Sequence, residues 1–342
     1  MNFSNKIIGW YRQNKRDLPW RNTNDPYKIW LSEIILQQTR VSQGLPYYVN
    51  FVNAFPTVKN LANANEQEVL KLWQGLGYYS RARNLHFTAK FVVDNYNGIF
   101  PNTYDELLKL KGIGTYTAAA IASFSANEPV AVVDGNVFRV LSRVFNVTYD
   151  ISLNSTKTYF IELAQKLLST TQPNLHNQAI MEFGALYCVP KKPNCKDCVF
   201  KDSCEAYKLK IVTELPVKLK KIKITSRFLN YVLIHDAFGN YIMNKRTENG
   251  IWKNLYEFPC VESEKELDEN EMLLQLKNLY KIKKFQYFDA FDVLHKLSHQ
   301  HLNIKFYRIE TEEIFKNSYT FSELRQLPFP IVLHNFIEKI GI

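Results

Sequence analysis

Four of the five cysteines lie within seventeen residues, and this cluster is the feature that most restricts how the chain can fold. Their spacing is C-x6-C-x2-C-x5-C, at Cys188, Cys195, Cys198 and Cys204. Structural zinc sites usually use two close pairs separated by a longer gap, whereas here one close pair stands between two single cysteines. The spacing therefore favours an iron–sulfur cluster of the [4Fe–4S] type, with zinc or unliganded thiols as alternatives.

The length and composition are those of a globular protein. The 342 residues suffice for two domains at the ~100–200 residues typical of each. With 46% hydrophobic and 22% charged residues, the chain is not wholly disordered. No apolar run approaches the ~20 residues needed to cross a bilayer. The N-terminal sequence MNFSNKIIGWYRQNKR has no apolar core or cleavage site of a secretion signal. We therefore expect a cytoplasmic protein with no membrane partner, and a monomer.

The hydrophobic pattern changes along the chain. Residues 1–207 show apolar positions at the three- and four-residue spacing of helices, separated by short Gly, Pro and Asn turns. The basic stretch 208–224 has no helical face and is interpreted as a linker. Residues 225–342 contain strand-like runs, a hairpin signal at Phe238–Asn240 and one helical pattern at 264–280. The chain is thus predicted to be multidomain, with an all-α domain followed by an α+β domain.

Positive charge is concentrated in the helical part. Residues 1–224 hold 28 basic and 17 acidic side chains, whereas residues 225–342 hold 15 basic and 16 acidic ones. The first part therefore suits a polyanion such as nucleic acid, although a basic balance alone is weak evidence.

A glycine turn separates two predicted helices at Leu110–Gly114. Gly112 and Gly114 allow a tight turn that points backbone N–H groups outward, and the next helix adds the positive end of its dipole. This is the arrangement of a helix–hairpin–helix phosphate-binding turn. Many helix pairs also turn on glycine without binding anything, so the turn carries weight only together with the basic domain.

Two carboxylates stand in apolar surroundings. Glu33 is the only charge between Lys28 and Arg40, so burial should raise its pKa and let it donate a proton near neutral pH. The alternative is a solvent-facing glutamate on an amphipathic helix. Asp134 follows two valines and precedes the helical pattern VFRVLSRVF, which favours a helix N-cap. A cap is compatible with catalysis, because a helix N-terminus keeps a carboxylate ionised.

Two polar or aromatic clusters lie beside predicted helix ends, at residues 37–39 and 77–81. Such side chains in a phosphate-binding domain can wedge into a base stack. Ordinary tyrosine packing and a polar helix end are the alternatives.

Several motifs recur together in an order that matches a known family. They are PWR (19–21), WLSEIILQQT (30–39), GLGYYSRARNL (75–85), the LKGIG turn, VVDGNV (132–137), NQAIMEFGALYC (177–188) and the four cysteines. With them, nearly the whole chain resembles the adenine DNA glycosylases (the MutY family) of the helix–hairpin–helix superfamily. The resemblance implies a [4Fe–4S] cluster on the four cysteines. It also implies a Nudix-like C-terminal domain, with GIWKNLYEFP (250–259) and LSHQHL (297–302) in the expected order.

The resemblance also implies a role for individual residues. Glu33 would be the general acid on adenine N7, Asp134 would stabilise the sugar cation, and Tyr116 would orient them. Trp20, Arg21 and Gln178 match positions that line the adenine pocket. Gln38 and Tyr78 match residues that enter the base stack, while Gly112 and Gly114 would bind the DNA backbone. Ser298 and His299 match the motif that recognises 8-oxoguanine.

The expected partner is duplex DNA with 8-oxoguanine:adenine or guanine:adenine mispairs. The enzyme is expected to be associated with the bacterial nucleoid. Endonuclease III-like relatives carry a lysine nucleophile in the hairpin turn, where this chain has Tyr116. We therefore predict a monofunctional glycosylase that leaves an abasic site. The segment ELDENEMLLQL lacks the R-E-x-x-E-E run of Nudix hydrolases, so no pyrophosphatase activity is expected. Removal of oxidised pyrimidines and DNA binding without catalysis are the alternatives.

Overall fold

The structure, a computed structural model, describes residues 3–219 and 223–341. The chain forms two compact units. The first unit comprises Met1–Asn63 and Asn84–Lys220, and the second unit comprises Ala64–Arg83 and Lys221–Ile342. Residues 220–222 of the predicted linker lie outside the described residues.

Helices dominate the chain up to residue 208. In chain order they are α1 (Phe3–Asn14), α2 (Pro26–Leu36), α3 (Val41–Ala54), α4 (Val58–Asn63), α5 (Glu66–Leu72), α6 (Ser80–Tyr96), α7 (Tyr104–Leu107), α8 (Thr115–Ala126), α9 (Gly135–Phe145), α10 (Asn154–Leu167), α11 (Pro173–Leu186) and α12 (Glu205–Lys208). In the first unit, α11 packs on α1 and α9, and α2 packs on α8. None of the described helices is both long and apolar enough to cross a membrane.

Local chemistry sets the ends of the helices that surround the core of the first unit. The Asp25 side chain accepts a hydrogen bond from the Tyr27 N–H, and Pro26 occupies the first position of α2. Helix α9 begins after Asp134 and ends at Asn146, whose left-handed backbone (φ +51°) closes the last turn. The alanines of α8 let that helix lie close to α2, because small side chains leave room for a neighbouring helix.

The described part of the predicted linker, as far as residue 219, is hydrogen-bonded to the first unit. The buried Arg143 of α9 donates from Nε to the carbonyl oxygens of Val212 (2.9 Å) and Leu215 (3.2 Å). The backbone N–H of Ile151 also donates to the Val217 carbonyl oxygen at 3.0 Å. The described part of the segment therefore packs on the first unit, because its carbonyl groups complete the hydrogen bonding of a buried arginine.

The second unit is built on a mixed sheet whose centre is a parallel pair. The strands are β1 (Thr225–His235), β2 (Tyr241–Ile242), β3 (Asn244–Lys245), β4 (Tyr256–Glu257), β5 (Cys260–Ser263), β6 (Ile282–Tyr287), β7 (Val293–Lys296), β8 (Gln300–Thr311) and β9 (Ser318–Tyr319). The main sheet runs β6-β8-β1-β2-β9, with β5 also paired to β1 and β7 to β8. Strands β1 and β8 are parallel, and β1 and β2 form the predicted hairpin.

Helices cover both faces of this sheet. The remaining helices are α13 (Glu269–Lys277), α14 (Phe321–Gln326) and α15 (Ile331–Ile340). Successive residues of β8 point to opposite faces, so Tyr307 packs near Met272 of α13 while the Phe306 ring stacks on Phe336 of α15. Helix α13 is shorter than the predicted 264–280, because a capping box between Asp268 and Glu271 fixes its start.

Residues 64–83 pack with the C-terminal part of the chain, although their helical pattern resembles that of their sequence neighbours. Lys71 Nζ donates to the carbonyl oxygens of Arg325 (2.7 Å) and Leu327 (2.9 Å). The Tyr79 hydroxyl donates to the Phe329 carbonyl oxygen at 3.2 Å. These bonds satisfy backbone carbonyl groups in the last turn of α14 and in the segment that follows it.

Candidate active site

A cavity of about 200 Å³ opens in the first unit between α2, α8, α9, α11 and the short 3-10 turn Pro19–Arg21. Six predicted site residues line it: Trp20, Arg21, Glu33, Tyr116, Asp134 and Gln178. The other lining residues were not predicted as site residues, and they include Arg16, Ser32, Asn136, Met181 and Glu182. The fold thus gathers side chains from five separate segments around one small space.

Glu33 is buried, with 7% of its surface exposed, in the middle of the apolar helix α2. Burial raises the pKa of Glu33 to about 7, and the nearby charge of Asp134 acts in the same direction. The Tyr116 hydroxyl donates to Glu33 Oε2 at 2.9 Å, which together with Arg21 limits the rise. Glu33 can therefore exchange a proton near neutral pH, as its apolar sequence context predicts.

Asp134 caps α9, as the sequence predicts. Its Oδ1 accepts from the backbone N–H groups of Asn136 (2.9 Å) and Val137 (2.8 Å), and its Oδ2 accepts from Asn136 Nδ2 at 2.7 Å. Burial raises the pKa of Asp134 above its ordinary value, and these three hydrogen bonds oppose the rise. All three donors favour the carboxylate over the acid, so the cap holds a negative charge at the cavity wall.

Glu182 anchors one side of the cavity through two arginines. Its carboxylate accepts two hydrogen bonds from Arg21 (2.9 and 2.7 Å) and pairs with the Arg16 guanidinium and backbone N–H. Burial opposes the charge on Glu182, but the bonds from Arg21 and Arg16 lower the pKa of Glu182 to about 2. The carboxylate is 1% exposed. The sequence signal for Glu182 is a lone acidic residue in an apolar helix, which is also the signal for Glu33.

Trp20 and Gln178 are held by neighbours that fix their orientation. The Trp20 ring packs edge-on against Tyr48, with 5.1 Å between ring centroids. Gln178 accepts from the Tyr11 hydroxyl at 2.7 Å and donates to Asn174 Oδ1 at 2.5 Å. Because both ends of this amide are engaged, its orientation is defined before any ligand enters the cavity.

The glycine turn has the geometry that the sequence predicts. Gly112 adopts φ +79°, and a Cβ at this position would lie 2.9 Å from Asn84 Cβ, so only glycine fits without strain. Gly114 is the residue before α8. Both glycines are exposed, which leaves the turn open to a ligand such as a phosphate.

The two predicted wedge residues share an unusual backbone conformation. Gln38 (φ +56°) and Tyr78 (φ +47°) both lie in the left-handed region, and both side chains are exposed, Tyr78 by 50%. Such positive φ values are uncommon for residues other than glycine and are found at functional sites. Gln38 belongs to the first unit and Tyr78 to the second.

The second unit has its own pocket of about 520 Å³. Tyr78, Ser298 and His299 all line it. Ser298 and His299 occupy the exposed turn between β7 and β8, where Leu297 N–H donates to the Gln300 carbonyl oxygen at 2.8 Å. Ser298 Oγ lies 3.1 Å from His299 Nδ1. The turn therefore presents polar groups to the same space as Tyr78.

All four clustered cysteines line one pocket of the first unit, together with Phe183 and Phe200. Burial raises the pKa of the Cys198 thiol to about 11 and also raises the pKa values of Cys195 and Cys204. Within residues 3–219 and 223–341, no three His, Cys, Asp or Glu side chains are close enough to bind a single metal ion. A cubane cluster needs wider spacing, since each thiolate binds a different iron, and this four-thiol loop is compatible with one.

The helical fold, the glycine turn and the two cavity carboxylates belong to a class of protein that two family matches identify. Residues 31–185 match the HhH-GPD superfamily of base excision DNA repair proteins. Residues 230–339 match the NUDIX domain.

Individual relatives narrow this class. The chain is 39% identical over 309 residues to the adenine DNA glycosylase of Buchnera aphidicola subsp. Baizongia pistaciae, covering 88% of this chain and 84% of the relative. It therefore belongs to the adenine DNA glycosylase family and is an enzyme.

Solved structures share the fold of about 60% of the chain. A thermostable thymine-DNA glycosylase superposes with a TM-score of 0.57 at 31% identity, covering 60% of this chain and 95% of that one. An endonuclease III trapped in a covalent DNA intermediate superposes with a TM-score of 0.54 at 20% identity, covering 61% and 95%, which bears on the fold alone.

Proposed function

We propose that the chain is a monofunctional glycosylase that hydrolyses the N-glycosidic bond of adenine paired with 8-oxoguanine or guanine in duplex DNA. The observation that carries the proposal is the buried Glu33, hydrogen-bonded to Tyr116, in a cavity that Asp134 also lines. Adenine in a duplex is stacked, so the base must be extruded to reach an acid in this cavity.

In the proposed reaction Glu33 acts first as an acid. A pKa of about 7 leaves part of the Glu33 population protonated at neutral pH, so its proton can pass to adenine N7. The bond between the sugar carbon and the base nitrogen then breaks, and its electron pair leaves with the protonated base. Glu33, now a carboxylate, takes a proton from the water that adds to the sugar carbon.

Asp134 acts as the electrostatic partner. Its carboxylate, held by three hydrogen-bond donors, stabilises the positive charge that develops on the sugar as the bond breaks. Tyr116 has no amine, so no Schiff base with the sugar forms at this position. The product is an abasic site in an uncut strand.

The second unit is proposed to read the base opposite adenine. Ser298, His299 and Tyr78 line one pocket, and they combine hydrogen-bonding groups with an aromatic ring. A serine hydroxyl and an imidazole can bond to the altered edge of 8-oxoguanine, while the ring stacks on a neighbouring base.

The cysteine loop is proposed to hold a [4Fe–4S] cluster through Cys188, Cys195, Cys198 and Cys204. Bound there, the cluster supplies four iron–thiolate bonds that cross-link the loop. Arg143 supports this loop by donating to the carbonyl oxygens of Val189 (2.8 Å) and Pro190 (3.1 Å). Iron and sulfide analysis of the purified protein tests the assignment, and zinc in their place would contradict it.

The test of the activity uses three labelled duplexes, each treated with and without alkali. They carry adenine opposite 8-oxoguanine, thymine opposite guanine, and an oxidised pyrimidine opposite guanine. We expect alkali-dependent cleavage at adenine alone. Cleavage at thymine would assign the chain the activity named for its structural neighbour. Direct nicking at the pyrimidine would indicate a lyase, and retention of DNA without cleavage would indicate a binding protein.

A further inference from the structure

The turn that carries Tyr78 is held by a buried arginine from the start of the following helix. Arg81 lies in the first turn of α6 and is 9% exposed. Its Nη2 donates to the carbonyl oxygens of Leu76 (3.3 Å) and Gly77 (3.1 Å). The Trp73 indole N–H donates to the same Gly77 carbonyl oxygen at 3.0 Å. Two side chains thus fix the peptide groups immediately before Tyr78.

The same guanidinium also lies close to two aromatic rings. Its central carbon is 5.0 Å from the Trp73 ring centroid and 5.7 Å from the Tyr78 ring centroid. Trp73 is completely buried, whereas half of the Tyr78 surface is exposed. Arg81 therefore connects a ring fixed in the core to a ring that faces solvent, at distances typical of cation–π contacts.

We propose that Arg81 is a positioning residue that holds the Tyr78 ring ready to enter the DNA base stack. This inference rests on the proposed function, in which Tyr78 acts as a wedge. A wedge must resist the stacking energy of the bases it separates, and a solvent-exposed tyrosine on a flexible turn would rotate away instead. Arg81 meets both requirements, because its hydrogen bonds fix the turn and its cation–π contact holds the ring.

Burial separates this role from an ordinary phosphate contact. Arg81 is 9% exposed, and its guanidinium group donates hydrogen bonds to two backbone carbonyl oxygens, so the group is engaged by the protein itself. Its effect on catalysis should therefore pass through Tyr78. Lysine cannot replace it fully, because an ammonium group has no planar face and forms a single point of charge.

A double-mutant cycle tests the inference. Excision of adenine opposite 8-oxoguanine is measured with enzyme in excess for Arg81→Gln, Tyr78→Ala, the double variant and Arg81→Lys. Fluorescence of 2-aminopurine placed beside 8-oxoguanine reports entry of the wedge. Lys90→Gln is the matched control, because it removes one positive charge from an exposed position of the same helix. Thermal melting checks the fold of each variant.

We expect Arg81→Gln to slow excision about tenfold, a loss between those of a fully exposed and a desolvated cation–π contact. The double variant should be no slower than Tyr78→Ala alone, and both single variants should lose the fluorescence rise. Lys90→Gln should behave as the unaltered protein does. If Arg81→Gln does not fold, Arg81→Lys, expected to be intermediate in rate, replaces it in the same cycle.

The inference would be overturned if the rate loss of the double variant equalled the product of the two single losses. Full excision activity and a full fluorescence rise in a folded Arg81 variant would also overturn it. Absence of adenine excision by the unaltered protein would instead overturn the proposed function, so the two failures are distinguishable.

Discussion

Glu33 is the residue whose ionisation should set the pH dependence of excision. Its pKa is raised to about 7, and the proposed mechanism needs the protonated form. The rate should therefore fall as pH rises through 7, by about tenfold per pH unit well above the pKa. Single-turnover rates between pH 5.5 and 9 measure this profile. Glu33→Gln should abolish excision while mispair affinity is retained, and unchanged turnover would place the acid elsewhere.

The same residue links pH to stability. Burial favours the protonated carboxyl, so the pKa of Glu33 rises from 4.5 in the unfolded chain to about 7 in the folded protein. As pH rises between these two values, ionisation of Glu33 lowers the free energy of unfolding by about 3 kcal/mol in total. Glu33→Gln keeps an acceptor for Tyr116 and removes this cost. The melting temperature of the variant should exceed that of the parent by more at pH 8 than at pH 5. A difference that does not change with pH would show that Glu33 is solvated.

The contribution of Glu182 to stability should depend on pH in the opposite sense. Glu182→Gln leaves Arg16 and Arg21 without their shared carboxylate, so we expect a loss of about 3 kcal/mol of stability at pH 7. The pKa of Glu182 is lowered, so its contribution is present above pH 4.5 and lost as pH falls towards 2. Urea unfolding at pH 7 and pH 3 measures both effects, and equal losses at the two values would contradict the assignment.

Glu33 and Glu182 carry the same local signal, a lone acidic residue in an apolar helix, but only Glu33 was predicted as a site residue. The local pattern shows the partners of neither carboxylate. Tyr116 lies 83 residues after Glu33, and the two arginines that bond Glu182 precede it by 161 and 166 residues. Asp134 was predictable as a cap because its partners are two and three residues away.

At the scale of elements, strongly periodic segments could be predicted and irregular ones could not. Helix α3 contains Gly44 and Pro46, two residues that usually interrupt helices, so its helical pattern is weak in the sequence. A Cβ at Gly44 would lie 2.8 Å from Leu36 Cδ2, so the glycine is explained by close approach to the preceding helix. The sequence shows the weak helix former, whereas only the fold shows the neighbour that requires it.

The glycine turn offers a paired test at this scale. Gly112→Ala places a side chain at φ +79° and against Asn84, so it should cost about 1–2 kcal/mol of stability and weaken duplex binding. Gly114→Ala meets open space at an ordinary φ of −94°, so its stability should be unchanged. Thermal melting and duplex titration compare the two variants. Equal stability would mean that Gly112 is not constrained by its backbone.

At the scale of the whole molecule, two changes distinguish recognition of 8-oxoguanine from support of the turn that carries Tyr78. Ser298→Ala combined with His299→Ala removes polar groups from an exposed turn, so it should reduce the preference for 8-oxoguanine over guanine opposite adenine and leave the melting temperature unchanged. Truncation after residue 224 removes the Leu327 and Phe329 carbonyl oxygens that Lys71 and Tyr79 bond.

The truncated protein should therefore lose preference and also excise more slowly on both mispairs, because residues 64–83, including Tyr78, pack with the part that is removed. Excision rates on 8-oxoguanine:adenine and guanine:adenine duplexes measure both quantities for each variant. Sequence periodicity alone assigned residues 64–83 to the helical domain, so it predicts a loss of preference only. A truncated protein with full speed on guanine:adenine would support that simpler division and show that the contacts of Lys71 and Tyr79 do not position the turn.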